Sequence, residues 1–284
     1  MKKGTVWMVG ASSGLGLATA QAFAGDGWLV VAGARSFGES KQGMDGLRPG
    51  EKVHLLPLDV TKEESCKQFV EKALEISDRV DVLCYAAGLL VLGSCEETTE
   101  DEYEKVMQTN FLGMTRMVSL ALPFMRGQGQ GKIVLFSSLN GLLGIPFQSA
   151  YTAAKHAMEG YAQCLSMEVR PFGIQVSVVE PGDHKGGSSR CRLRAGGIEA
   201  ESPYEREYES ACQIIHRDES NGLAPQNLGE KVLRNVNRSK MRYYLRVAGI
   251  DQRAAVWLQR LLPPAFFSAL LRGYYVKKGG RSHV

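Results

Sequence analysis

The chain alternates short apolar runs, rich in β-branched residues, with longer segments in which apolar residues recur at helical spacing. The short runs predict strands at residues 5–9, 28–32, 53–58, 80–85, 132–136, 174–179 and 241–247. The longer segments predict helices at residues 15–24, 63–76, 100–125, 150–169 and 226–236. Strands that alternate with crossover helices are typical of a parallel sheet with helices on both faces.

This order of elements predicts a single α/β domain over residues 1–284, doubly wound around a mainly parallel seven-stranded sheet. The rhythm changes after Pro181, where a long polar stretch precedes another helix. We expect residues 183–224 to be a helical lid over the substrate. Residues 249–284 are expected to form a C-terminal helical extension, split by Pro263 and Pro264.

Composition narrows the classes of protein. Hydrophobic residues make up 44% of the chain, enough for a sizeable core, and the net charge of +4 is too small and too scattered to indicate nucleic acid. The six cysteines show neither CxxC pairs nor metal-type histidine spacing, so we expect reduced thiols and no metal. No export signal and no uninterrupted apolar run of about 20 residues is visible. We therefore expect a cytoplasmic protein.

A glycine-rich turn, VGASSGLG, follows the first predicted strand and opens the first predicted helix. Backbone N–H groups at such a helix start bind the pyrophosphate of a dinucleotide, and glycines allow the tight turn and the close approach. Such a turn can also serve packing alone, but its position favours binding and a Rossmann-type domain. The predicted cofactor contacts in the turn are Gly10, Ser12, Ser13, Gly14, Leu15 and Gly16.

A second pattern carries reaction chemistry. Tyr151 and Lys155 lie one turn apart on a predicted helix, so the ammonium group lies near the phenol and stabilises its phenolate form. Ser138 precedes them at the carboxyl end of a predicted strand, where open parallel sheets bind their ligands. Its hydroxyl can hold a substrate oxygen while the phenol transfers a proton. The pattern therefore predicts acid–base chemistry at a carbonyl or hydroxyl group.

The GxxxGxG spacing, together with Asn110, Ser138, Tyr151 and Lys155, resembles the short-chain dehydrogenase/reductase family in its shorter branch. The resemblance covers the chain from residue 5 to about residue 182 and implies hydride transfer between nicotinamide and a carbonyl or secondary alcohol. It implies that Tyr151 is the general acid in reduction and the base in oxidation, and that Ser138 orients the carbonyl. Lys155 would also bind the nicotinamide ribose, and the Asn110 backbone would hold the water of a proton relay.

The resemblance also assigns the rest of the cofactor site. No acidic residue follows the second predicted strand, and Arg35 there can donate a forked pair of hydrogen bonds to a 2′-phosphate, which predicts NADP(H). An arginine after a strand can also be merely solvated. The family's contacts to adenine, its ribose and the nicotinamide fall on Asp59, Val60, Ala87, Gly88, Pro181 and Gly182, besides Tyr151 and Lys155.

Three segments depart from the family and bear on cofactor affinity. Val9 stands where the family usually has a threonine before the first glycine. CYAAG puts Tyr85 and Ala86 where two asparagines are usual. In PGDHKGG, His184 and Gly186 replace an apolar residue and a threonine.

The substrate is expected to be small and apolar, because the flanking segments are most similar to members acting on steroids and retinoids. A hydroxysteroid, a bile acid or a retinoid is therefore expected. Residues that could line its pocket, or simply pack in the core, are Leu142, Leu143, Ile145, Pro146, Phe147 and Met158. Basic residues of the lid that could bind an anionic group on it, or face solvent, are Lys185, Arg190, Arg192 and Arg194.

The C-terminal extension and the family resemblance bear on the partners of the chain. Apolar residues of the extension could contact a membrane surface, as in a peripheral lipid-metabolising reductase, or cover the pocket, or meet another subunit. They are Trp257, Leu258, Leu261, Leu262, Phe266, Phe267, Leu270 and Tyr274, with Arg272, Lys277 and Lys278 nearby. The family resemblance implies a homodimer or higher homo-oligomer. A non-catalytic NADP(H)-sensing or scaffold protein is the alternative to an enzyme, whereas the glycine spacing and length disfavour a nucleotide-sugar epimerase.

Overall fold

One parallel sheet organises the chain, which a computed structural model describes at residues 3–37, 47–186, 192–198 and 202–276. The strands are β1 (Thr5–Val9), β2 (Leu29–Ala34), β3 (Val53–Pro57), β4 (Val82–Tyr85), β5 (Leu90–Leu92), β6 (Gly131–Phe136), β7 (Ile174–Pro181), β8 (Arg192–Arg194) and β9 (Tyr244–Val247). Seven of them form the sheet in the order β3-β2-β1-β4-β6-β7-β9, and every neighbouring pair is parallel. The predicted doubly wound α/β fold is confirmed, with a sheet that is parallel throughout.

Nine helices are present in the described residues. They are α1 (Gly14–Gly25), α2 (Glu63–Ile76), α3 (Glu100–Met107), α4 (Gly113–Gly127), α5 (Ser149–Glu168), α6 (Glu205–Ser220), α7 (Pro225–Val236), α8 (Ile250–Leu261) and α9 (Pro264–Tyr275). None of these helices is long and apolar enough to cross a membrane. The predicted lid therefore contains β8 and α6, and the predicted extension contains α8 and α9.

Two apolar cores hold helices on the two faces of the sheet. Side chains alternate along a strand, so Val6 and Met8 of β1 enter one core while Trp7 and Val9 enter the other. The first core includes residues of α1 and α7, and the second includes residues of α2, α4 and α5. Because both faces are covered, β1 is buried at every position. The sheet thus presents the carboxyl ends of its strands as the open edge for a ligand.

The predicted helix at residues 100–125 is wrong in one respect: a π turn at Gln108–Leu112 separates α3 from α4. Tyr85, fully buried at the end of β4, donates a hydrogen bond from its hydroxyl to the carbonyl oxygen of Thr109 inside this turn, at 2.5 Å. The wider turn disrupts the regular hydrogen-bonding ladder, so a carbonyl there needs another donor. Apolar periodicity alone does not reveal such a turn.

A second, two-stranded sheet was not predicted. β5 and β8 pair in parallel, with Leu90 opposite Arg192 and Leu92 opposite Arg194. Strands of three residues are too short to show an alternating pattern, so the sequence carries no clear signal for them. This small sheet joins the predicted lid to the segment that follows β4.

Candidate active site

The glycine turn between β1 and α1 is shaped for close approach. Gly10 and Gly14 have positive φ angles of 84° and 56°. A Cβ atom on Gly10 would lie 2.4 Å from the backbone nitrogen of Ala87, and one on Gly16 would lie 2.1 Å from the carbonyl oxygen of Gly10. Ser13 makes no side-chain cap at the start of α1, and no acidic residue lies in the first turn. The first N–H groups of α1 therefore remain for an anion such as a pyrophosphate.

The residues predicted to contact the adenosine end lie along the same cavity. Arg35 follows β2 and is exposed, while Asp59 and Val60 follow β3. The Asp59 carboxylate accepts hydrogen bonds from the backbone nitrogen of Thr61 at 3.1 Å and from its hydroxyl at 2.7 Å. Burial acts to raise the pKa of Asp59, but these bonds and the charges of Lys62 and Arg35 outweigh it and lower the pKa. Asp59 is thus a fixed anion beside Arg35.

Ser138, Tyr151 and Lys155 line this cavity as well. The Lys155 Nζ atom lies 5.4 Å from the centre of the Tyr151 ring and donates a hydrogen bond to the carbonyl oxygen of Phe136 at 2.6 Å. Lys155 is only 3% exposed. The fold therefore holds a positive charge, shielded from solvent, next to the phenol.

Sequence reasoning missed a side-chain network around Ser138. The Ser138 hydroxyl donates to Asn140 Oδ1 at 3.2 Å, and Asn140 Nδ2 donates to Gln148 Oε1 at 2.9 Å and to Thr152 Oγ1 at 3.3 Å. Asn140 and Gln148 also line the cavity. Asn140 stands out only as a polar residue in an apolar stretch, and Gln148 belongs to no recognised motif. The network orients the serine that is predicted to hold the substrate oxygen.

Asn110, the fourth predicted catalytic residue, is placed differently from Ser138, Tyr151 and Lys155. It is fully buried in the π turn, where Oδ1 accepts from the backbone nitrogen of Leu89 at 2.7 Å and Nδ2 donates to its carbonyl oxygen at 2.9 Å. Thr109, rather than Asn110, lines the cavity. The Asn110 side chain is thus engaged by the Leu89 backbone, and the relay through its main chain stays a prediction.

The cavity extends from the glycine turn to the C-terminal helices and has a volume of about 1320 Å³. Leu143 and Ile145 line it as predicted, whereas Met158 is fully buried in the core beneath the sheet. Leu258 of α8 and Leu271 of α9 also line the cavity. The C-terminal helices therefore cover the cavity, one of the roles considered from the sequence.

The turn after β7 lies below this region. The Gly182 backbone nitrogen donates to the carbonyl oxygen of Val247 at 2.9 Å, and a Cβ atom on Gly182 would lie 2.0 Å from Gln252 Oε1. His184 is buried, with Nδ1 2.9 Å from the carbonyl oxygen of Gly182, and burial lowers its pKa. Pro181 and Gly182 line the cavity. The turn predicted to contact the nicotinamide thus lies at the carboxyl end of β7 and lines the cavity, despite its unusual sequence.

One wall of the cavity is acidic. Asp183, Asp218 and Glu219 line it, and Gln252 Nε2 donates a hydrogen bond to the Asp183 carboxylate. Burial raises the pKa of Asp183 to about 6, and the charges of Asp218 and Glu219 act in the same direction. Because Asp183 is distant in sequence from Asp218 and Glu219, no local pattern indicated this wall.

Two basic residues of the lid are engaged within the protein, and one of them, Arg192, offsets part of the charge of this wall. Arg192 forms an ion pair with Glu219, and the Arg194 guanidinium lies over the Tyr208 ring, 5.5 Å from its centre. Lys185 is exposed, and Arg190 lies outside the described residues. The predicted recognition of an anionic group therefore gains no support from these contacts.

A dinucleotide fits these residues. The glycines leave space that any Cβ would fill, the start of α1 offers unpaired N–H groups, and Arg35 and Asp59 lie where its adenosine end would be held. The described residues contain no cluster of three or more histidine, cysteine or acidic side chains that could hold a metal.

This fold and cavity define an oxidoreductase acting on alcohol or carbonyl groups. The chain belongs to the short-chain dehydrogenase/reductase family, since residues 4–190 match the family model described as short chain dehydrogenase. It is 34% identical over 275 residues to a 3-ketodihydrosphingosine reductase from Bacteroides thetaiotaomicron, covering 97% of this chain and 99% of that one.

Solved structures agree with this assignment. A short-chain dehydrogenase/reductase from Burkholderia phymatum in complex with NAD has a TM-score of 0.80 and 25% identity, over 92% of this chain and 94% of that one. An alcohol dehydrogenase from Thermococcus sibiricus, complexed with 5-hydroxy-NADP, has a TM-score of 0.66 and 25% identity, over 87% and 97%. One of these relatives thus holds NAD and the other an NADP derivative.

Proposed function

We propose that this chain is an NADP(H)-dependent oxidoreductase that interconverts a ketone or aldehyde with an alcohol on an apolar, lipid-like substrate. The observation that carries the proposal is that Ser138, Tyr151 and Lys155 line the same cavity as the glycine turn. Acid–base groups and a dinucleotide cradle on one cavity are what a hydride-transfer enzyme requires.

The chain's residues have separate tasks in this mechanism. In reduction, Tyr151 donates its proton to the carbonyl oxygen while the Ser138 hydroxyl holds that oxygen. The Lys155 ammonium, 5.4 Å from the ring centre, stabilises the phenolate that forms, and its hydrogen bond to Phe136 keeps it in place. NADP(H), when bound, supplies or accepts the hydride. The Asn110 main chain supports proton exchange with solvent.

The proposed preference for NADP(H) rests on Arg35. No acidic residue stands at Gly33 or Ala34 to receive a ribose hydroxyl, and a guanidinium can bind a 2′-phosphate through two charge-assisted bonds. Arg35→Leu is expected to lower kcat/KM for NADPH by about 10- to 100-fold and to change that for NADH little. Arg48→Leu, an exposed arginine away from the cavity, is the control. Equal losses with both cofactors would contradict the preference.

The proposed substrate class is a lipid ketone or its alcohol, which includes the hydroxysteroids and retinoids expected from the sequence. On the acidic wall, Glu219 is paired with Arg192 and Asp218 with Arg217. Asp183 therefore supplies the charge that favours a cationic over an anionic substrate, which weighs against a bile acid. A sphingoid ketone, the substrate named for the Bacteroides relative, carries an ammonium group beside its carbonyl and a long alkyl chain. It is therefore the best candidate within the class.

The test is turnover with NADPH on 3-ketodihydrosphingosine, its uncharged N-acetyl derivative, a keto bile acid and a keto steroid. We expect the highest kcat/KM for the free amine, and no turnover by Tyr151→Phe. Tyr161→Phe, on the same helix, is the matched control and should keep its activity. Faster turnover of the bile acid would reject the cationic preference. NADPH binding with no turnover of any substrate, and no effect of Tyr151→Phe, would favour the sensing or scaffold alternative.

Peripheral contact with a membrane is a second proposal, favoured by one observation. Leu270 and Tyr274 of α9 are 50% and 47% exposed and also line the cavity, and Trp257 on α8 and Phe266 on α9 are 62% and 59% exposed. An apolar surface at the mouth of a lipid-sized cavity suits substrate entry from a bilayer. Lys277 and Lys278 lie outside the described residues.

Vesicle flotation tests this contact. Trp257→Ser combined with Phe266→Ser should reduce the bound fraction, whereas Met167→Ser, equally exposed on α5, should not. Wild-type protein that never floats would remove the proposal. We further propose a cytoplasmic homodimer or higher homo-oligomer, which analytical ultracentrifugation would test.

A further inference from the structure

A buried group of polar side chains next to Lys155 has no part in the roles described so far. Glu159 follows Lys155 by one turn of α5 and is only 6% exposed. Both of its carboxylate oxygens lack a hydrogen-bonding partner among the described residues, as do Ser137 Oγ and Glu180 Oε1. Buried oxygens of this kind are costly and rare, so such a group calls for an explanation beyond packing.

The group is connected to the Lys155 ammonium through a short path. Lys155 Nζ is bound to the carbonyl oxygen of Phe136, and the next residue, Ser137, directs its hydroxyl toward Glu159. A methyl group on Gly141 would lie 2.5 Å from Ser137 Oγ and 3.2 Å from Glu159 Oε1, so both atoms face the same point. Ser137 is close enough to favour the ionised form of Glu159 without forming a well-aligned hydrogen bond.

Charged and titratable groups from each neighbouring element act on Glu159. Burial raises the pKa of Glu159 to about 7, and the charge of Glu180 on β7 acts in the same direction. Lys155 and Arg246 oppose this rise, and Arg246 is itself bound to Glu180 at 2.6 Å. The remaining groups nearby are the phenols of Tyr243 and Tyr244, and Arg260 of α8, which acts on Glu180.

We propose that Glu159 is a positioning residue whose charge state sets how strongly the Lys155 ammonium stabilises the Tyr151 phenolate. An ionised Glu159 offsets the ammonium charge and disfavours the phenolate, whereas a protonated Glu159 leaves the ammonium unopposed. The carboxyl thus acts on the reaction through Lys155 and never touches the substrate. This inference rests on the roles proposed above for Tyr151 and Lys155.

The test is the pH dependence of kcat/KM for alcohol oxidation, which requires the phenolate. Glu159→Gln removes the negative charge and keeps the shape, so its profile should titrate at a lower pH than that of the wild type. Glu159 and Tyr151 lie eight residues apart on α5, a rise of about 12 Å along the helix. One charge at that distance, at an effective dielectric constant of about 20, gives an expected shift of roughly one pH unit. Glu168→Gln is the matched control, because Glu168 is an exposed glutamate on the same helix. Its profile should coincide with that of the wild type.

Two results would overturn the inference: coincident profiles for Glu159→Gln and the wild type, or an equal shift in Glu168→Gln. If circular dichroism shows that Glu159→Gln does not fold, Ser137→Ala replaces it in the test. This substitution removes a hydroxyl that favours the ionised form of Glu159. Its profile should move in the same direction, and an unchanged profile would reject the inference. Loss of turnover in Tyr151→Phe with no shift in Glu159→Gln would reject this inference alone. Full turnover in Tyr151→Phe would reject the proposed function itself.

Discussion

The π turn that carries Asn110 depends on one buried hydroxyl, and removing it is our most direct structural prediction. Tyr85 is fully buried, and its hydroxyl lies 2.5 Å from the carbonyl oxygen of Thr109. Gly113 leaves the space for it, because a Cβ there would lie 2.7 Å from the hydroxyl oxygen. Tyr85→Phe removes the donor and leaves the ring in the core.

The expected loss of unfolding free energy in Tyr85→Phe follows from the groups that the substitution leaves in place. The ring keeps its volume, so no large cavity forms, but the Thr109 carbonyl loses a buried donor, which costs about 1–3 kcal/mol. We expect the free energy of unfolding to fall by about 2 kcal/mol. An unfolding entropy of about 2 cal/mol/K per residue implies roughly 600 cal/mol/K for this chain, so Tm should fall by about 3 °C.

Urea denaturation and calorimetry, at a fixed cofactor concentration, measure both quantities. Tyr161→Phe removes a half-buried hydroxyl on α5 and should cost less. A free energy of unfolding equal to that of the wild type in Tyr85→Phe would refute the idea that this hydroxyl stabilises the π turn. A loss well above 3 kcal/mol would mean that the ring itself had moved.

Three further predictions follow from the site. Gly10→Ala should abolish NADPH binding in a fluorescence titration, because its Cβ would lie 2.4 Å from the Ala87 backbone nitrogen at a φ of +84°; retained affinity would mean that the turn can shift. The pKa of Asp183 is raised from 3.8 to about 6 on folding, so its contribution to stability is present below 3.8 and is lost as the pH rises to about 6. Asp183→Asn should therefore raise Tm above about pH 6 but not below 3.8, and equal shifts at both would contradict this assignment. Arg192→Met removes the ion pair with Glu219, and a fall in unfolding free energy of about 2 kcal/mol is expected in urea; no change would show that water already screens the pair.

The sequence predicted most of what depends on local pattern. Strands such as Thr5–Val9 are buried at every position and almost entirely apolar, because helices cover both faces, and this makes them easy to recognise. Tyr151 and Lys155 were predicted from their helical spacing together with Ser138, Asn110 and the family resemblance. The acidic wall escaped notice, since Asp183 and Asp218 become neighbours only because the chain after α6 returns to the turn after β7, where the Leu223 backbone nitrogen donates to the Asp183 carbonyl oxygen. Likewise, the π turn depends on Tyr85, a residue with no local relation to it.

The small sheet of β5 and β8 bears on how this chain can acquire new substrates. β5 begins directly after Leu89, whose two backbone groups are held by Asn110, and β8 belongs to the predicted lid. A lid taken from a relative would therefore need a strand that pairs with β5. Without that pairing, the exchange would disturb the position of Asn110. Divergence is expected to proceed through single side chains on α6, α8 and α9, with the β8 backbone retained as an anchor.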